Sequence, residues 1–341
     1  GHLIPAGTGI ERYRKVEVLS EDDENMSGDN DESLATIFKE ILSLDQLGKN
    51  DNFFERGGDS IMSIQVIAKA AQAGIRLTPK QLFEQPTVAG LASVAGESHA
   101  VVADQGLISG SVELTPIQHW FFEQKFADSH QWNQSLLLQV DHLLDIKALE
   151  KVVAAIVGHH DILRARFDHH EGQSAQKIIE NEEHRLLHIY DLSELDETGQ
   201  RSAVEDACAL LQTTMNYENG PIFTMAYFDL GSSGRLFIAV HHLAIDGVSW
   251  RILLEDIQTA YRQAAEGMEI RLPKKTTSYQ YWAAKLREYA QSTVINNEFS
   301  FWTHYERQLA GSIPLDFNDG AHQNLEKNTD YVYANLPAEQ T

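Results

Sequence analysis

Two short strings concentrate the residues able to do covalent or acid–base chemistry: HHLAIDG, His241 to Gly247, and FFERGGDSIMSIQV, Phe53 to Val66. In the first, two adjacent imidazoles close a strongly apolar run. Neighbouring residues of a strand point to opposite faces, so His241 and His242 do not readily share one metal ion, and no third ligand stands at a recognised spacing. One imidazole should face the packed side of a sheet. The other should open into a cavity, where a side chain that ordinarily titrates near neutrality can act as a general base. Asp246 follows the strand and either orients that imidazole or holds the loop through an arginine, and Gly247 permits a sharp turn into the next helix. Two core or surface histidines stand as an equal alternative. In the second string, Ile61, Ile64 and Ile67 recur at helical spacing, which puts Ser60 at a helix start with Asp59 as N-cap and Gly57 and Gly58 freeing the backbone before it. Its hydroxyl is either a spare member of a capping box or an exposed group that carries something.

The elements that must position these residues fall into two regions of a 341-residue chain. From 32 to 97, SLATIFKEILSL puts Leu34, Ile37, Phe38, Ile41 and Leu42 on one stripe. A second helix runs to Gly74, a short turn follows Pro79, and TVAGLASVA makes a last helix. The pattern predicts a small four-helix bundle, with too little interior for a pocket of its own. After a link over 98–111, strands and helices alternate from 112 to 341. SLLLQV is a strand, and DIKALEKVVAAIVGHH is a helix with Ala148, Leu149, Val152, Val153 and Ile156 on one face. RARFDHHEGQSAQKII is a hairpin turning at His170-Glu171-Gly172. A helix covers Ser202–Met215, two strands flank Gly-Ser-Ser-Gly, three helices follow, and YVYANL starts a last strand. That alternation predicts an α/β or α+β layer fold.

Composition narrows the function classes. The hydrophobic share of 43% and charged share of 23% are ordinary for a soluble globular protein. Fifty acidic against 27 basic residues give a formal charge of -23, which argues against nucleic acid and anionic membranes as partners. A single cysteine, Cys208, cannot form an intrachain disulfide and fits a reducing cytoplasm. No run reads as a membrane span or signal peptide. Residues 1–31 read as a leader and a solvated acidic linker. The leader resembles the C-terminal stretch of the bacterial RNA polymerase β′ chain over one short string and is assigned no function.

HHLAIDG matches the HHxxxDG motif of the condensation-domain superfamily of nonribosomal peptide synthetases, related to chloramphenicol acetyltransferase. LTPIQHWFFEQ (Leu114 to Gln124) and HHLAIDGVSWRILLEDI resemble the first two signatures of the epimerization branch. HHDILRARF (His159 to Phe167) resembles the segment whose arginine, here Arg164, pairs with the motif's aspartate, here Asp246. FFERGGDSI resembles the carrier-protein signature whose serine, here Ser60, receives 4′-phosphopantetheine from coenzyme A. Asp59 follows the preference of carriers that precede epimerization domains. The resemblance therefore implies a peptidyl carrier bundle followed by an α/β, chloramphenicol-acetyltransferase-like lobe.

The implied activity is inversion of the α-carbon of an aminoacyl or peptidyl thioester. A thioester acidifies the α-hydrogen, and inversion needs a base on one face and a proton returned to the other. By resemblance His242 supplies one of these groups, with His241, Asp246, Gly247 and Arg164 supporting the site. The amide at the start of the Gly247 helix is a candidate donor to the developing negative oxygen. No metal or pyridoxal phosphate is implied. The implied partners are a phosphopantetheinyl transferase with coenzyme A, an upstream adenylation domain and the condensation domain of a following module. The family domain has two lobes around a tunnel, and only signatures of the first appear, so the second lobe, with the glutamate expected to face the histidine, is expected to be largely missing. A carrier with an amide-forming condensation domain and an inactive docking fragment are the competing expectations. His119 and Trp120 read equally as a tunnel mouth or as a surface histidine and a buried aromatic. His159 and His160 read as helix-end packing, no carboxylate or cysteine set accompanying them.

Overall fold

The computed structural model describes residues 29–97, 103–170, 173–306, 332 and 334–336. The leader and nearly all of the acidic run lie outside the described residues. The described residues fall into two compact units that divide between Arg287 and Glu288.

The first region is helical because its apolar residues repeat at helical spacing and its helix starts are capped. Helix α1 (Asp29–Leu42) buries Leu34, Ile37 and Phe38, and α2 (Ser60–Gln72) buries Val66 and Ala70 against them. The segment after Pro79 is more than a turn: α3 (Pro79–Glu84) is fixed by a capping box between Thr78 and Gln81, with proline at its start. Helix α4 (Val88–Val94) follows, capped by Thr87. A two-residue pair, β1 (Ile75–Arg76) with β2 (Gly96–Glu97), ties the α2 exit to the end of α4. Phe38, Phe53, Leu82 and Leu91 are fully buried together.

In the second region β3 (Gly110–Val112) is followed by α5 (Pro116–Glu123), β4 (Asn133–Val140) and α6 (Ile146–His159). The hairpin is present as β5 (Ala165–His170) and β6 (Gln173–Ile178), paired from Ala165 with Ile178 to His170 with Gln173; Glu171 and Gly172 lie outside the described residues. Strand β7 (Leu187–Asp191) leads to α7 (Glu197–Thr213), which starts before Ser202 because Asp196 caps it through the Gly199 amide. Strands β8 (Phe223–Asp229) and β9 (Gly234–His241) flank Gly-Ser-Ser-Gly, and α8 (Gly247–Ala265) and α9 (Tyr279–Ala290) follow. The second unit contains α10 (Thr293–Glu306), whose Phe299, Phe301 and Trp302 are exposed. Of the expected last strand, Tyr331 and Tyr333 lie outside the described residues, and Val332, Ala334, Asn335 and Leu336 carry no strand. A strand is held by pairing, and Val332 is 96% exposed.

One sheet runs β4-β9-β8-β7, antiparallel except where β7 pairs parallel with β8. A smaller sheet runs β3-β6-β5. The two-residue period of the strands sorts side chains into two layers. Phe223, Met225, Tyr227, Leu236, Ile238 and Val240 face α6 and α8, while Ala226, Phe228, Phe237 and Ala239 face α7. Cys208 lies buried in that α7 layer, its thiol pushed up to about 12 by desolvation. It is a packing residue, not a thiolate.

Candidate active site and carrier attachment point

Because β9 ends at His241, the alternation sends the two histidines to different fates. In the β4–β9 register Asn133 lies opposite His241 and Gln134 opposite Val240. His241 therefore continues the α7 face and is wholly buried. Its Nε2 lies 2.9 Å from the Ser129 carbonyl, and its Nδ1 accepts from the Leu243 amide at 3.1 Å. A carbonyl only accepts and an amide N–H only donates, so the proton of His241 is on Nε2. The rings of Phe121 and Tyr217 stand edge-on at 5.8 and 5.7 Å. Desolvation lowers its pKa to about 4, so it stays neutral.

His242 is the first residue past the strand and is exposed. Its amide donates to the Trp132 carbonyl at 2.8 Å, which extends the β4 pairing by one step. Its Nδ1 lies 2.7 Å from the Ile245 carbonyl and its Nε2 lies 3.2 Å from Gln134 Nε2. The expectation of one packed and one open imidazole is met, with His242 the open one.

Asp246 caps α8: its Oδ1 accepts from the Ser249 amide at 2.8 Å and the Ser249 hydroxyl at 2.7 Å. Partial burial opposes its ionisation, but the Ser249 bonds outweigh this and hold the carboxyl below its ordinary value. The cap thus takes up the Ser249 amide of the first turn of α8. Gly247 begins α8 without a left-handed backbone, and a Cβ there would meet nothing within 4 Å. The expected sharp turn does not depend on it.

The expected pair of Arg164 with Asp246 is not formed. Arg164 is 2% exposed and its guanidinium bonds Asp161 at 2.9 Å and the carbonyls of Ile108 at 2.8 Å and Ile179 at 3.0 Å. It also donates to the Val157 carbonyl and, at 3.5 Å, to Gly158. These last two are free carbonyls at the end of α6, where a cation complements the helix dipole. The arginine lies in the single turn that follows α6, three residues from Asp161, so its local partners satisfy it fully. Nearby, His160 Nε2 lies 2.8 Å from Asp256 Oδ2 of α8, with His159 edge-on to it. A carboxylate does accompany this histidine pair, contrary to the sequence reading, because it arrives from a distant helix.

The signature around Trp120 meets the histidine loop through Gln118. Its amide donates to the Leu243 carbonyl at 3.4 Å while it closes a capping box with Thr115. Trp120 is 47% exposed, so the buried-aromatic reading fails for it, and His119 is exposed as expected of a surface histidine. His169 is a strand residue, stacked on Phe122 at 4.8 Å and bonded to Ser174. Sequence reasoning missed Gln134 and Arg251. Gln134 is one of three polar residues that open β4, Asn133, Gln134 and Ser135, and nothing in the sequence singles it out among them.

On the carrier side Ser60 opens α2 and is exposed. Asp59 accepts from the amides of Ile61 at 2.8 Å and Met62 at 2.7 Å, as an N-cap should. Gly57 has φ of 100°, and a Cβ on Gly58 would lie 2.3 Å from the Phe53 ring. The two glycines thus have separate reasons, one conformational and one steric. Arg251 of α8 lies 3.3 Å from Asp59. The Met62 amide foremost, with Arg251 adding to it, lowers the Asp59 pKa. An exposed hydroxyl at a helix start, with a guanidinium beside it, fits a phosphodiester-linked arm.

The family model described as Condensation domain matches residues 108–339, and the one described as Phosphopantetheine attachment site matches 32–94. The chain belongs to the condensation-domain family, with a carrier domain before it that holds 4′-phosphopantetheine covalently. It is 37% identical over 311 residues to gramicidin S synthase 1 of Brevibacillus brevis, a match covering 91% of this chain and 28% of that protein. It is 37% identical over 288 residues to tyrocidine synthase 1 of Brevibacillus parabrevis, over 83% of this chain and 26% of that protein. Among solved structures, the epimerization domain from the third module of tyrocidine synthetase B matches with a TM-score of 0.59 and 36% identity, over 63% of this chain and 48% of that one. The first condensation domain of the calcium-dependent antibiotic synthetase matches at 0.52 and 20%, a likeness of fold, over 60% of this chain and 49% of that one. The chain thus spans about half the length of these structures and about a quarter of these two curated relatives. Among the described residues no helix is long and apolar enough to cross a membrane.

Proposed function

We propose that the chain carries an aminoacyl or peptidyl group on an arm attached at Ser60 and inverts its α-carbon from L towards D, with His242 as base. The observation that carries this reading is the contrast in likeness: 36% identity to an epimerization domain against 15–20% for the condensation domains of the same fold. The arm supplies reach and a thioester, which acidifies the hydrogen to be removed. The protein supplies presentation and proton transfer. Arg251 lies one turn into α8, and its contact with Asp59 holds the start of α2 against the helix that follows His242. His241 fixes the loop from inside, and His242 stands exposed beside it. The reading extends to a nonribosomal peptide synthetase in which adenylation and condensation domains act before and after this segment, and to a second lobe that completes the tunnel.

The test is deuterium uptake at the α-carbon. Ser60 is loaded with an L-aminoacyl pantetheine arm, the full chain is incubated in heavy water, and the thioester is read by mass and chirality. Ser60→Ala, which accepts no arm, and loaded His242→Ala run beside it. Uptake that vanishes in His242→Ala supports the reading. Loaded chain that takes up no deuterium, yet forms an amide with a second loaded carrier, replaces epimerization by condensation, the reading favoured by the family model alone.

A further inference from the structure

Gln134 touches two groups whose hydrogen-bonding roles are fixed by their chemistry. Its Oε1 lies 2.8 Å from Trp250 Nε1, and its Nε2 lies 3.2 Å from His242 Nε2. An indole nitrogen can only donate, so the amide oxygen must face Trp250 and the NH2 must face the histidine. An NH2 group donates, so His242 Nε2 must accept. At the other side of the ring Nδ1 meets the Ile245 carbonyl at 2.7 Å, which can only accept, so Nδ1 carries the proton. Both ends of the imidazole give the same tautomer.

We infer that Gln134, oriented by Trp250, is a positioning residue that holds His242 as the Nδ1–H tautomer, with Nε2 unprotonated and its lone pair accepting from the amide. This rests on the proposed role of His242 as base and adds what prepares it. The arrangement is the reverse of His241, which carries its proton on Nε2. An NH2 facing Nε2 is incompatible with a proton there, so the amide resists premature protonation of the base and favours return of any proton that Nε2 takes. Gln134 must swing aside, or share the lone pair, when substrate arrives. The other groups acting on His242 are Asp246 at the α8 cap and His241 on β9. Neither selects a tautomer.

The experiment is nitrogen NMR of the full chain with labelled histidine, His242 being assigned by the signal lost in His242→Asn. The unaltered chain should show protonated Nδ1 and unprotonated Nε2. Gln134→Glu is nearly isosteric and replaces the NH2 with an acceptor, so at neutral pH a proton should appear on Nε2. In the same variant α-hydrogen exchange should fall at least tenfold at neutral pH, and its acidic limb should move to higher pH. Trp250→Phe frees the amide to flip and should give mixed tautomers with a smaller loss. A proton on Nε2 in the unaltered chain overturns the inference, as does an unchanged tautomer in Gln134→Glu. The tautomer is read without turnover, so an expected tautomer with no α-exchange but with amide formation on a second loaded carrier would replace the epimerization reading and leave the role of Gln134 standing.

Discussion

In the carrier, the core around Phe38, Phe53, Leu82 and Leu91 is apolar but for Ser63, and Ser60, the proposed attachment point, stands outside it at the start of α2. In the lobe His241, Arg164, Arg166, Gln118 and Asp256 all lie inside. A domain of this small size has little buried surface with which to offset polar desolvation, and its proposed attachment point stands at a helix end. The larger lobe encloses polar groups because each finds partners there. Arg166, for example, is gripped by both carboxylate oxygens of Glu182 at 2.7 and 2.9 Å. Mutations should therefore separate fold from chemistry cleanly in the carrier and poorly in the lobe.

The largest effect should come from Arg164→Met, which leaves the carbonyls of Ile108, Val157 and Ile179 without their buried donor and Asp161 with only Lys275 and the Ile108 amide. We expect a loss of about 3–5 kcal/mol in chemical denaturation of the lobe, with the carrier helices unaffected. A loss below about 1 kcal/mol would contradict the enclosed network.

Acid comes next. The pKa of His241 falls from the ordinary 6.5 to about 4, so its contribution is intact above pH 6.5 and is lost as pH falls towards 4. Up to about 3 kcal/mol of lobe stability should disappear over that window. His159 and His188, also lowered by burial, act with the same sign. The segment 32–97 contains no histidine, so melting curves against pH should separate the two regions.

Gly58→Ala should cost about 1–3 kcal/mol in the carrier, because the new methyl meets the fully buried ring of Phe53. Ser60→Ala should change carrier stability by no more than about 0.5 kcal/mol while abolishing attachment of the arm, measured by denaturation and intact mass. Equal stability losses for these two would erase the distinction between carrier surface and carrier core.

Much of this contrast was legible in the sequence. The stripe from Leu34 to Leu42, the face from Ala148 to Ile156 and the paired strands around Gly-Ser-Ser-Gly follow from periodicity, and Asp59 and Ser60 from capping chemistry. The fate of each histidine followed from strand alternation once β9 was recognised as ending at His241. Partners brought together by tertiary folding were not legible. Gln134 meets Trp250 across 116 positions, and His160 meets Asp256 across 96. Arg164 was assigned a remote aspartate when one three residues away, with the end of the preceding helix, already satisfied it. The motif names the residues, but the register and the helix ends choose their partners.

The pairing of β4 with β9 carries a consequence for anyone who recombines such chains. Asn133 to Val140 meets Gly234 to His241 without interruption, and side chains change face at every residue. What must be conserved in this stretch is parity. Deleting one residue between Phe237 and Val240 would put His242 in the buried place of His241 and His241 in the place of Val240, on the opposite face and equally buried. Deleting two would restore their faces. A junction in β9 therefore has to be counted in pairs, whatever sequence is spliced across it.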